Sequence, residues 1–157
     1  MTRPSTADSG QALLTADLVQ LGVGVANRDD AITRAGQLLV DAGAVEPPYV
    51  AAMLEREAIM SSYMGEGFAL PHGTDESRRH VTRAAVAFLR FTTPVEWEDG
   101  EEAVAALAVA ATSDEHIGVL ASLARVLSDE DAAQRLRTTD DVDEVLTLLA
   151  PDDEEAA

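Results

Sequence analysis

The chain has 157 residues and no cysteine, and its formal charge of -18 comes from 29 acidic side chains against 11 basic ones, all of them arginine. That length suits one domain with its own core, and the missing cysteine excludes disulfides, thiolate nucleophiles and cysteine-ligated metals. The acidic field repels nucleic acid and anionic lipid, no apolar run reaches the roughly eighteen residues of a membrane helix, and no basic-then-apolar leader is visible, so the expected location is the cytoplasm.

Residues 1–12 read as a disordered tail with almost nothing to bury, the domain is expected over residues 13–150, and residues 151–157 form a polar C-terminal tail. Asn27 is placed to cap a helix that has Asp30 three positions on, with Ala31, Ile32, Ala35, Leu38 and Leu39 at helical spacing and Gly43 as its stop. A second helix is expected from Pro47 or Pro48 through YVAAMLEREAIM, since proline in the first turn gives up no needed amide. Gly65 and Gly67 then break the chain before the short apolar run FAL, and the polar TDESRRH that follows reads as a solvated loop. The segments AAVAFLRF and AVAALAVAA read as two buried strands, separated by a turn at TTPVEW and the acidic EDGEE.

In SDEHIGVLASLARVL, Ser113 is the expected cap, and Ile117, Leu120, Leu123, Ala124 and Leu127 form the apolar stripe. A break at SDED leads to AAQRL, and TTDDVDEVLTLLA is the last predicted helix, with its cap and an acidic first turn. Strands alternating with helices predict an α/β domain whose sheet is covered on both faces.

The stretch GFALPHG sets His72 between Pro71, which fixes one torsion, and Gly73, which admits torsions closed to other residues and leaves room for a partner or a phosphoryl group. No GxSxG elbow or HExxH pair is present, and a phosphate-binding GxxxxGK loop lacks its lysine, so neither hydrolytic, metal nor nucleotide chemistry gains support. A neutral imidazole can itself accept a phosphoryl group on one nitrogen while the other holds a hydrogen bond. His116, in the first turn of a helix, and Arg56, ahead of the turn, supply the donors such a group needs. Each also has a plainer reading. His116 would be an ordinary polar residue, and Arg56 a surface partner of Glu55 or Glu57. Arg78, Arg79 and His80 read as solvated loop residues.

Taken in order, MLEREAIMSSYMGEGFALPHGT, AAVAFLRFTTPVEWEDGEE, ATSDEHIGVLASLARVL and TTDDVDEVLTLL resemble the mannitol-type A components of the bacterial sugar phosphotransferase system, over nearly the whole chain. The resemblance implies a mixed central sheet flanked by helices and a phosphoryl carrier without cofactor or metal. His72 would receive the group from phospho-HPr and pass it to a cysteine of the B component of a mannitol or related permease, with His116 beside it and Arg56 supporting transfer. Membrane contact would then come only through the permease. A regulatory module of the same fold, switched by His72 phosphorylation, is the alternative, and a non-catalytic interaction domain is the third reading.

Overall fold

The computed structural model describes residues 13–112 and 114–149. The expected tails at 1–12 and 151–157, and the Ser113 cap, lie outside the described residues. Helix α1 (Arg28–Asp41) begins where Asn27 accepts the Asp30 amide, and Gly43, at φ +78°, takes the left-handed turn that ends it. Helix α2 (Pro48–Ile59) starts with its proline in the first turn. The strands are β1 (Val19–Val23), β2 (Tyr63–Gly65), β3 (Phe68–Ala69), β4 (Ala85–Glu98) and β5 (Glu101–Ala110), and helices α3 (His116–Ser128), α4 (Glu130–Thr138) and α5 (Val142–Leu149) complete the domain.

The five strands form one sheet in the order β1-β4-β5-β3-β2. Strand β4 runs parallel to β1 and antiparallel to β5, while β3 runs parallel to β5 and antiparallel to β2, so the sheet is mixed as expected. The alternation along β4 and β5 sorts side chains to two cores. Ala87, Leu89, Ala106 and Ala108 pack with Ile32, Leu39 and Met53 of α1 and α2, whereas Val86, Phe88, Leu107 and Val109 pack with Leu123, Leu136 and Val145 of α3 to α5. Ala106 and Ala108 of β5 are thus part of the small face on which the first helix pair rests.

Three expectations need correction, and β1 was not expected. TTPVEW is not a turn: β4 continues to Glu98 through register shifts, and the chain reverses at Asp99 and Gly100, where Gly100 has φ +79°. The stripe of α3 is buried through Val119, Leu123 and Leu127, while Ile117 is 79% exposed. TDESRRH is not a solvated loop, because Glu76–His80 form a 3-10 turn with Ser77 buried, and His80 Nδ1 lies 2.8 Å from Glu46 Oε1. Strand β1 had no signal of its own in LVQLGVGVA; two glycines and an edge position erased the alternation, and pairing with β4 supplies the strand.

Candidate functional site

The chain after β3 stays in register with the sheet without being a strand. Leu70 N–H donates to Ser62 O at 3.0 Å, Val109 N–H donates to Pro71 O at 2.9 Å, and His72 bridges to Val109 in parallel sense. His72 is therefore carried along the end of the central strand β5 and is not left on a free loop. Its ring Nδ1 lies 2.7 Å from Leu70 O. A carbonyl oxygen can only accept, so Nδ1 carries the proton and the lone pair of Nε2 is left for chemistry.

Gly73 is required for a reason the sequence did not give. Its φ is not in the left-handed region; instead, a Cβ there would stand 2.3 Å from Ser77 Oγ and 2.6 Å from Tyr49 Cε1. The Gly73 amide donates to Tyr49 Oη at 3.0 Å, and that hydroxyl donates to Val109 O at 2.8 Å, which clamps the His72 turn to α2 and β5 together. The space saved by glycine is thus taken by Tyr49 and Ser77, not by a ligand. Gly73→Ala is expected to cost about 1–3 kcal/mol, as overpacked buried sites do. Chemical denaturation checks it, and a parental midpoint would show that Ser77 and Tyr49 can yield.

The structure brings all three expected residues to one place. His116, the first residue of α3, sets its ring 5.1 Å from that of His72, tilted by 57°. Arg56, in the last turn of α2, donates from Nη1 to Met60 O at 2.7 Å and shares a groove of about 440 Å³ with His72, Tyr63, Met64, Ile117 and Leu120. Arg78, read from sequence as a loop residue, belongs here too. Its side chain is 21% exposed, it pairs with Asp75 at 2.9 Å, and its Nε is buried without a partner among the described residues. Nothing in the polar run ESRRH distinguished it from Arg79, because the direction of each side chain depends on how the 3-10 turn docks on α2.

Burial pushes His72 below the ordinary imidazole value; the Leu70 hydrogen bond and the Glu57 carboxylate oppose this, while Arg56 and Arg78 reinforce it. Burial, then Arg78 and His72, press His116 down to about 4 against the pull of Asp75. Both rings are accordingly neutral at pH 7. The arrangement presents one nucleophilic nitrogen, a second ring able to donate or accept, and guanidinium charge near the place where an anion would form. Among the described residues no three histidine, aspartate or glutamate side chains converge as a metal site.

The family model of the phosphoenolpyruvate-dependent sugar phosphotransferase system, EIIA 2, matches residues 12–151. The chain belongs to this family. As an EIIA 2 chain it is 42% identical over 149 residues to the mannitol-specific EIICBA component of Pasteurella multocida, a match that covers 93% of this chain and 24% of that protein. It spans about a quarter of the length of such multidomain relatives, 22% to 24%. Its fold is similar to that of enzyme IIA(Mtl) from Escherichia coli, solved in complex with phosphorylated enzyme IIB(Mtl), with a TM-score of 0.82 and 41% identity over 87% of this chain and 96% of that one. The nitrogen regulatory protein IIA-Ntr from Neisseria meningitidis is more distant, with a TM-score of 0.73 and 25% identity over 88% and 97% of the two chains. The mixed sheet, the EIIA 2 fold and the membership expected from the motifs are all borne out. No described helix is long and apolar enough to cross a membrane.

Proposed function

We propose that this EIIA 2 chain is a phosphoryl carrier, and the observation that carries the reading is the Nδ1–H bond of His72 to Leu70 O, which commits Nε2 to attack. The donor is the phosphohistidine of phospho-HPr. Its P–N bond breaks as the Nε2–P bond forms, and the proton stays on Nδ1, donated to Leu70 O throughout, so the ring's growing positive charge meets a fixed acceptor. Arg56 and Arg78 offset the phosphoryl charge, and His116, whose ring stands beside that of His72, contributes a further donor. In the second step a cysteine thiolate of a mannitol-type B component takes the group, the Nε2–P bond breaks, and His72 returns to neutral imidazole.

The surroundings fit brief docking of a protein partner. Met64 and Ile117 line the groove at 47% and 79% exposure, and Ile59 and Met60, which follow Arg56 in the chain, are 73% and 62% exposed. Exposed apolar side chains around a reacting group exclude water once a partner covers them. The relay reading is favoured over the regulatory one by the greater similarity to the mannitol-type structure, whose described partner is a phosphorylated IIB. Phosphorylated HPr and a mannitol B domain test it: the label should enter this chain in acid-labile, base-stable form and move on to the B-domain cysteine. Label that remains on this chain would overturn the relay in favour of the regulatory role.

A further inference from the structure

Glu57 is the one acidic side chain in the described core, 3% exposed, and nothing in the transfer chemistry above uses it directly. Its Oε2 accepts from Ser62 N–H at 2.7 Å and from Trp97 Nε1–H at 2.9 Å, and its Oε1 accepts from Ser62 Oγ–H at 2.7 Å. Ser62 and Trp97 are themselves buried, at 8% and 1% exposure. A carboxylate removed from water is costly unless donors replace the hydration it loses, and here three hydrogen bonds do so.

What this network holds is the support of His72. The carbonyl that fixes the His72 tautomer belongs to the Leu70–Pro71 peptide, and Pro71 has no N–H, so that peptide plane has no donor of its own to anchor it. It is pinned from its two sides instead, by Leu70 N–H on Ser62 O at 3.0 Å and by Val109 N–H on Pro71 O at 2.9 Å. Ser62 is thus one of the two anchors, and Glu57 grips Ser62 by both its amide and its hydroxyl. The same grip closes the turn after α2, whose Met60 carbonyl receives Arg56. Trp97 reaches Glu57 from β4 because the register shifts after Arg90 and Glu96 turn that end of the strand, with its indole stacked 6.5 Å from Phe91.

We propose that Glu57, oriented by Trp97, is a positioning residue for phosphoryl transfer: through Ser62 it holds the Leu70 carbonyl that keeps His72 in its Nδ1–H tautomer and the turn that seats Arg56. It touches neither the nucleophile nor the phosphoryl group. The inference rests on the carrier reading for its kinetic consequence, but its structural half is independent of it, since the tautomer is a property of the unphosphorylated chain.

The test compares Glu57→Leu, Glu57→Gln, Ser62→Ala and Trp97→Phe with the parent, reading the His72 ring nitrogens by NMR and single-turnover uptake from phosphorylated HPr. Glutamine can keep its oxygen toward the Ser62 amide and Trp97 while its NH2 donates to Ser62 Oγ, so Glu57→Gln should retain one tautomer and most of the rate. Glu57→Leu should show the two tautomers averaged and a fall in the transfer step of about tenfold or more, with a smaller change in the half-saturating HPr concentration, as misplacement of a reacting group predicts. Trp97→Phe should fall between them.

Should Glu57→Leu fail to fold, Ser62→Ala and Trp97→Phe carry the same comparison with smaller cavities. A single Nδ1–H tautomer and parental transfer in every folded variant would overturn the proposal, as would Glu57→Gln behaving like Glu57→Leu. If the parent itself takes no phosphoryl group, the carrier reading fails, and the tautomer comparison still decides whether Glu57 positions His72.

Discussion

Replacing His72 by glutamine is expected to reduce phosphoryl uptake from phosphorylated HPr by at least about 10³-fold, because no neighbouring group can substitute for a lost nucleophile. The second imidazole is the obvious candidate for rescue. Among the described residues, however, no backbone carbonyl holds a ring nitrogen of His116 as Leu70 O holds His72 Nδ1 at 2.7 Å, the contact that commits the other nitrogen to attack. The fold should survive the change, since glutamine offers an amide donor to the same Leu70 oxygen. Residual uptake near the parental rate in His72→Gln would move the phosphorylation site elsewhere.

The same site sets the direction of its pH dependence. Burial and the nearby guanidiniums hold the folded His72 below 6.5, so the nucleophile should remain neutral on acidification past the point where an exposed histidine is half charged. A ring-nitrogen titration should therefore give His72 a midpoint below 6.5 and His116 one near about 4. For stability the sign follows from the same depression. The unfolded chain takes up protons at these two rings as the pH drops below 6.5 while the folded chain does not, so their contribution is fully present above 6.5 and is lost on acidification, for His116 down to about 4. A His72 midpoint above 6.5 would mean that the Leu70 bond and Glu57 outweigh burial.

Arg56→Ala should slow transfer by about 10²- to 10³-fold, the usual loss when a directed donor to a developing anion is removed. Its effect on folding should be small. The hydrogen bond to Met60 O is exposed and caps the end of one helix, a contribution of about 0.5–1.5 kcal/mol. That bond uses one of the five N–H donors of the guanidinium, which leaves a planar fork able to brace the turn and face the groove together. Lysine has no such fork, so Arg56→Lys should keep the charge and recover only part of the rate. Equal single-turnover rates for Arg56→Ala and the parent would remove Arg56 from the transfer step, and Arg78 would become the leading cation.

Much of this molecule was legible in one dimension because its signals are local. Asn27 with Asp30, Pro48 and Gly43 mark helix ends through contacts made within a few residues, and each stands where the pattern put it. His72 drew notice for its neighbours Pro71 and Gly73, and His116 for its place at a helix start. The long-range parts were closed to that kind of reading. Arg56, His72 and His116 lie on α2, on the turn after β3 and on α3, and they meet because β3 is laid beside β5 in the sheet, a pairing no periodicity encodes.

The sequence by itself determined four of the five helices, the apolar runs of the two long strands, the family motifs and the chemical type of the proposed nucleophile, since propensity, capping and residue identity act over a few positions. Tertiary structure alone decided which nitrogen of His72 is free, why residue 73 must be glycine, that the charge of Arg78 is felt at both His72 and His116, and that Glu57 braces the turn beneath them. Each of those depends on a partner distant along the chain or on the direction a side chain takes once the turn beneath it has docked. Hydrogen bonds and close contacts are set by positions in space, and the chain specifies these only by folding.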